Sequence, residues 1–453
     1  MKVYKISYLN KEEKKILVFG LMLFAFIIAS YTINRVFAFA AIACIIVYEI
    51  ISTPFDTLIP FAIIVTWGAE IWEIGNSRLY TIIKLLSLGI FIFKLYLNNI
   101  VDIRRTSKFT LLLILFITYI GVGNLIASNY EFGKVINLLI CYIIIYVFAC
   151  NTHWLNLSKI TIAYGEGVIL SSMLSTVSVY IPKLYNVVDS MMKTYNVFGE
   201  SKLSRMSGMT YDPNLFGLYV IIGVVANLCV VHTKKYKNCL FNVIIALVLT
   251  VMGIMTLSKT FIIVISLVGC GFIGVWINSR QISFSKKITI IGILVIVLFI
   301  LASYTGVYFQ AIVSRFSKSN AGGITTGRST LWRYYIDMLL NKPISLLFGK
   351  SLGFTVSGMS SPHNFIVYML LHFGIFGIGI YISMILSLMK YCWIRSVEKK
   401  GFINGTRVIY CLPLLSYFVF SLSIDPFMLY DVKMIMLIIC FTLFTTNEYN
   451  EEN

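Results

Sequence analysis

Long apolar runs, separated by short polar or basic connections, recur along the whole chain. A helix rises 1.5 Å per residue, so a bilayer core about 30 Å thick takes roughly 20 apolar residues per crossing. About fourteen runs approach that length, near residues 16–33, 36–51, 57–74, 79–97, 109–127, 135–150, 160–181, 213–232, 239–257, 260–277, 287–306, 364–391, 408–424 and 428–446. The second is short, so the pattern predicts an all-α, polytopic integral membrane protein with about 12 to 14 transmembrane helices. The expectation is a single transmembrane domain over 1–453 with two long external loops, about 182–212 and 307–362, the second containing a short amphipathic helix.

Composition agrees and narrows the classes. At 58% hydrophobic and 12% charged residues, a soluble globular chain is excluded. Lys and Arg in short loops set orientation. The N-terminus holds Lys2, Lys5, Lys11, Lys14 and Lys15, and alternate loops are basic: Arg104, Arg105 and Lys108; Lys234, Lys235 and Lys237; Arg280, Lys286 and Lys287; Lys390, Arg395, Lys399, Lys400 and Arg407. Both termini are therefore expected in the cytoplasm, and both long loops outside. The first apolar run is long and lacks a small-residue cleavage motif, which reads as a retained anchor. The net charge of +18 is mostly this topology code, which also favours anionic membrane lipid, and no nucleic-acid partner is expected. The nine cysteines lie in or at the ends of apolar runs without a CxxC pair, as buried small hydrophobes do.

One loop breaks the charge rule. Residues 307–362 carry Arg315, Lys318, Arg328, Arg333, Lys342 and Lys350 against Asp337 alone, which calls for an anionic ligand. Thr325 or Thr326 can cap a helix in which Arg328, Trp332, Tyr335 and Leu339 recur on one face until Pro343 stops it. Gly349 to Ser361 reads as irregular loop, and Pro362, His363 and Asn364 mark re-entry into an apolar run. In the first loop, Asp212 before Pro213 is a turn or helix-start signal, with Asn214 entering the next run. Arg205 stands just outside it, as a solvated charge or a ligand contact. Lys259 sits in the tight Leu257-Ser258-Lys259-Thr260 turn, as an interfacial anchor or a third cation. Asp425, before Pro426, is a turn-former or a partner for an outer His or Arg. Glu166, several residues into the seventh run beside Gly165 and Gly167, reads as a carboxyl near the cytoplasmic boundary.

These stretches resemble the O-antigen polymerase and ligase superfamily of bacterial envelope glycosyltransferases. The likeness rests on Arg205-Met-Ser-Gly-Met-Thr-Tyr-Asp-Pro-Asn214, the Ser258-Lys259 turn, Arg315, Gly327-Arg328 followed by Trp332, Lys342-Pro343, the Gly349–Gly353 loop, and His363-Asn364 ahead of Gly374-Ile375-Phe376-Gly377. It covers roughly residues 200–380. One departure is Lys259, where the family often has arginine: the charge is kept and the bidentate fork is lost. The resemblance implies a glycosyltransferase in the bacterial cytoplasmic (inner) membrane that takes an undecaprenyl-diphosphate-linked oligosaccharide as donor. The first expectation is a polymerase of repeat units for O-antigen, capsule or exopolysaccharide, with a polysaccharide chain-length regulator as a further partner. The alternatives are a ligase that moves glycan onto lipid A core and, in a different class, a lipid-linked oligosaccharide flippase. His363 is the expected base, with a pKa near the ordinary value of about 6.5. Arg328 and Arg205 would stabilise the diphosphate leaving group, with Arg315, Lys259, Trp332, Asn364, Asn214 and Asp425 as substrate contacts. No cofactor is implied, and no cluster of outer acids suggests a metal.

Overall fold

In the computed structural model the described residues are 11–68, 70–74, 77–98, 108–126, 132–150, 157–192, 205–210, 212–233, 240–278, 310–311, 328–352, 354–356, 359, 361–398, 406–424 and 435–439. The apolar runs fold as helices with bounds close to those the pattern predicts: α1 Lys11–Thr32, α2 Val36–Ile51, α4 Leu79–Leu97, α5 Lys108–Ile126, α6 Phe132–Cys150, α7 Leu157–Ser178, α9 Pro213–Thr233, α10 Leu240–Met255, α11 Lys259–Asn278, α14 Phe365–Glu398 and α15 Thr406–Ser421. Six of them, α1, α4, α5, α7, α9 and α14, are long and apolar enough to cross a membrane. The eleventh run falls outside the described residues, and of the last run only the buried helical stretch 435–439 is described.

Helices α7 and α9 form the centre. They pack on each other, α1 and α3 (Ile59–Ile64) flank α7, and α10, α11 and α15 surround α9. Of their apolar stretches, 72% and 83% are buried, against 28–33% for α1, α4 and α5. Those outer helices leave Leu21, Phe93, Leu111 and Leu125 exposed, as a lipid-facing surface does. Inside, Asn242 Nδ2 donates to Asn227 Oδ1 at 2.8 Å and Asn227 Nδ2 to the Gly223 carbonyl at 2.8 Å, tying α10 to α9.

The third apolar run is not a continuous span. A 3₁₀ turn at Pro54–Leu58 leads into α3, which ends after six residues. Gly68 then takes φ +82°, and a 3₁₀ turn Glu70–Trp72 feeds a hairpin pairing Glu73–Ile74 with Ser77–Arg78. Hydropathy alone reads this stretch as a helix because its polar backbone is invisible in the pattern. α7 supplies what the break leaves open. Trp67 Nε1 donates to the Gly167 carbonyl at 3.0 Å, and Ser171 Oγ to the Thr66 carbonyl at 2.8 Å. Tyr31 of α1 donates to the Ile71 carbonyl at 2.8 Å. Gly167 has no alternative, since a Cβ there would lie 2.2 Å from the Ile63 carbonyl oxygen.

Three further expectations change. The segment 182–212, read as loop, opens with an eleven-residue helix, α8 (Pro182–Met192). Pro182 suits the first helical position, and Leu184 and Val188, four residues apart, are buried while Tyr185 is exposed. The second long loop holds α12 (Arg328–Leu340) as expected, but Pro343 that stops it also starts α13 (Pro343–Phe348). α14 is also not straight: it breaks at Gly374, φ 64° and ψ −172°.

Candidate functional site

One end of the bundle gathers the chemistry, and short helical caps place it there. Asp212 caps α9: its Oδ1 accepts from the Asn214 backbone N–H at 2.8 Å and from Asn214 Nδ2 at 2.9 Å. Asn364 caps α14 through Oδ1, from the N–H groups of Ile366 at 2.9 Å and Val367 at 3.2 Å, while its Nδ2 donates to the Leu422 carbonyl at 3.1 Å. Ser258 Oγ accepts from the Phe261 N–H at the start of α11. α9, α11 and α14 therefore begin where α10 and α15 end.

Arg205 is buried rather than solvated, 8% exposed. Its Nε donates to the Thr256 carbonyl at 2.9 Å, just past the end of α10, where a cation also meets the negative end of the helix. Its Nη2 donates to Asn214 Oδ1 at 3.4 Å. Arg205, Asn214 and Asp212 are thus one linked group. Arg328, the first residue of α12, donates to the Ser423 carbonyl, and Thr260 of α11 donates to Ser423 Oγ at 2.8 Å. Lys259 is half-buried beside Thr260 as the first residue of α11.

His363 stands between these groups. It takes φ +50°, an uncommon backbone for a non-glycine residue, directly before the Asn364 cap. Trp332 Nε1 donates to the Pro362 carbonyl at 2.7 Å, so Trp332 holds the residue before His363. Tyr335 and Leu339 on the same face of α12 are buried against Val367 and Leu371 of α14. Burial pushes the imidazole below its ordinary pKa, the Arg328 charge adds to that, and Asp212 opposes it. At neutral pH the ring is a neutral base.

Beside His363 lies a cavity of about 330 Å³ whose lining includes Lys134, Asp212, Tyr335, Phe354, Tyr368 and His372. Leu371 and His372 of that lining lie just before the break at Gly374. The carbonyls released there are taken up by the neighbouring loop and α5: Lys350 N–H donates to Leu371 at 2.8 Å, Ser351 N–H to His372 at 3.2 Å, and Tyr119 Oη–H to Phe373 at 2.7 Å. A Cβ at Gly374 would lie 2.4 Å from the Leu347 carbonyl oxygen.

Of the residues singled out from the sequence, Arg328 and His363 are electrostatic neighbours, with Asp212 as the acid that acts on His363. Asn214, Asn364 and Trp332 hold the scaffold through the bonds given above. Arg315 and Asp425 lie outside the described residues. Sequence reasoning did not single out Asp212, Tyr368 or His372 as site residues. His372 reads as a residue deep in a straight helix, and only Gly374, inside an apolar run, hinted at a break. Glu166 lies mid-way along α7, 6% exposed and against Gly20 of α1, with no hydrogen-bond partner for either carboxyl oxygen among the described residues. That differs from a boundary position, because α7 starts at Leu157. No protein-family model, no characterised protein and no solved structure matches the chain.

Proposed function

We propose that this protein is a polysaccharide polymerase of the bacterial cytoplasmic membrane, transferring a glycan from a polyprenyl-diphosphate donor to a lipid-linked acceptor. The observation that carries this reading is the grouping of a neutral imidazole, His363, with the Arg328 guanidinium and the Asp212 carboxyl beside a cavity at one end of an apolar helical bundle. In this reading the chain crosses 12 to 14 times, the basic loops keep both termini in the cytoplasm, and the His363 end faces outward. A donor anchored by its lipid then meets the site at the membrane surface.

The step follows from these groups. The acceptor hydroxyl loses its proton to His363, its oxygen bonds to the donor's anomeric carbon, and the bond from that carbon to the diphosphate breaks, the electron pair leaving with the diphosphate. A guanidinium has five N–H donors, and Arg328 gives one to Ser423, which suits it to the charge that grows on the leaving group. Arg205 and Lys259 add positive potential around the same end.

A strain lacking the chain is expected to carry single-repeat surface glycan, restored to a ladder by the intact gene. Arg328→Ala and His363→Ala should reduce extension at least roughly hundredfold, in line with loss of a general base or of transition-state charge stabilisation, while membrane insertion is unchanged. A normal ladder from both variants overturns the reading; lipid-linked polymer accumulating with no repeat on the core assigns the chain to ligation instead. The proton transfer uses no metal in this scheme, so chelator should leave extension of purified protein intact, and loss rescued by magnesium or manganese contradicts it.

A further inference from the structure

Hydropathy places the segment around α12 and α13 outside the membrane, yet its contacts lead back down the bundle. α5 supplies the depth scale. Its 19 residues span about 28 Å, close to a bilayer core of about 30 Å. Lys134, at the start of the next helix, lines the cavity with His363, so α5 ends on the His363 side, at Ile126. Tyr119 lies seven residues before that end, and therefore about 10 Å deeper. Its hydroxyl donates to the Phe373 carbonyl at 2.7 Å and lies 3.2 Å from the Phe348 carbonyl, the last residue of α13.

α12 and α14 descend side by side. Trp332 meets Pro362, Tyr335 and Leu339 meet Val367 and Leu371, and the N–H groups of Lys350 and Ser351 reach the Leu371 and His372 carbonyls. α13 therefore sits near the level of Gly374, about 15 Å along α14 from the Asn364 cap.

Two properties of α13 suit that depth. Its backbone is closed: the Asn341, Lys342, Leu346, Gly349, Lys350 and Ser351 N–H groups all have carbonyl partners, and Pro343 has no N–H to leave open. Hydrocarbon requires such closure and water does not. Its outward side chains are apolar. Ile344 is 77% and Phe348 55% exposed, and the Phe348 ring centroid lies 5.2 Å from that of exposed Phe376 on α14. The same face continues along α14 through Ile382 and Leu386, both exposed, so α13 extends a surface that already faces lipid. The charges stand at the two ends, Lys342 before α13 and Lys350 after it, where a four-carbon stem can lift the ammonium toward lipid phosphate.

We propose that α12 and α13 form a re-entrant element, with Ile344 and Phe348 packed against lipid acyl chains on the His363 side of the bilayer. The inference needs α5 to cross the membrane and does not rest on glycosyl transfer. Leu352, Phe354 and Val356, on the way back from α13 to Pro362, line the cavity, so one wall of the site stands on an element seated in lipid.

The test uses full-length protein in lipid nanodiscs, with 4-trifluoromethylphenylalanine introduced by stop-codon suppression in place of Ile344, Phe348, Ile114 or Arg333, one at a time. Dissolved oxygen concentrates among acyl chains while a neutral nickel chelate stays in water, so the ratio of their relaxation effects on the fluorine signal reads depth. Ile114, exposed in the middle of α5, marks lipid; Arg333, whose side chain is 86% exposed beside Trp332, marks water. The oxygen-to-nickel ratio at 344 and 348 is expected to match that at 114 and to exceed that at 333 several-fold. If either label prevents accumulation of the protein, Phe376 on the same face takes its place. A ratio at 344 or 348 equal to that at 333 puts α13 in water and overturns the inference. Weak response to both reagents means that protein, such as a second copy of the chain, covers the face, and overturns it as well.

Discussion

Two apolar stretches lose their helical backbone, one after Ile64 and one at Gly374, and the two losses are handled differently. After Ile64 two open carbonyls are taken by side chains of neighbouring helices, Thr66 by Ser171 and Ile71 by Tyr31, while the break's own Trp67 donates to the Gly167 carbonyl of α7. Trp67 and Trp72 stack there with ring centroids 6.2 Å apart, both fully buried. At Gly374 the released carbonyls are met mostly by backbone N–H groups of the adjoining loop, and that loop walls the cavity beside His363. Irregular backbone in an apolar setting is tolerated where protein buries it or where it lines a cavity. The first break is the buried kind and the second the cavity kind, and the proposed transfer is placed beside the second.

Substitutions can sharpen or break that contrast. The largest effect is expected from Gly374→Ala, which places a Cβ 2.4 Å from the Leu347 carbonyl oxygen and 2.6 Å from the Gly349 nitrogen at φ +64°. Left-handed strain and a clash with fixed backbone together should cost roughly 2–4 kcal/mol and remove glycan extension. Full extension from this variant would mean that the bend does not shape the site. Trp67→Phe comes next. It removes the indole N–H that ties the break to the Gly167 carbonyl of α7, for a loss of roughly 0.5–1.5 kcal/mol in thermal unfolding. Per folded molecule, extension should match the wild type; a deficit as deep as that of Gly374→Ala would give both breaks the same standing.

The smallest effect is electrostatic. His363 must be neutral to accept a proton, so extension should fall as pH drops through its pKa, which burial and Arg328 hold below the ordinary 6.5. Asp212 opposes that shift, and Asp212→Asn keeps an oxygen for the α9 cap while removing the charge. The acid limb of the pH profile should then move lower, by a fraction of a unit; a limb that stays or moves higher sinks the Asp212–His363 coupling. The sign for stability is the same. A histidine with a depressed folded pKa contributes fully above the unfolded value of about 6.5, and its contribution is lost as pH falls below it.

Helix positions were largely legible from apolar runs, and α2 and α4 coincide with the predicted runs. The breaks were not: Glu70 reads as an acid near the end of a span, Phe373 to Gly377 is as apolar as the helix around it, and a positive φ leaves no trace in hydropathy. α8 and α13 were missed for a related reason: each is too short to show as a run. In the site, the spacing of Arg328, Trp332, Tyr335 and Leu339 announced a shared face, and His363 before an apolar run announced a boundary. The approach of Asp212 to His363 needs the packing of α9 against its neighbours, which no local pattern encodes. His372 needed the bend.

Glu166 bears on how the chain is built. α7 is the least apolar of the six long helices, with mean hydropathy 1.3 against 1.7–2.2 for the others. An acidic side chain near the middle of such a helix costs roughly 3 kcal/mol to insert when charged. Its neighbours make room for it: Gly20 of α1 admits the carboxyl, and α3 closes over Gly167. α1 and α3 precede α7 in the chain, so both are synthesised before it. α7 is therefore expected to enter the bilayer against helices already there, and biogenesis of the central helix depends on the N-terminal ones.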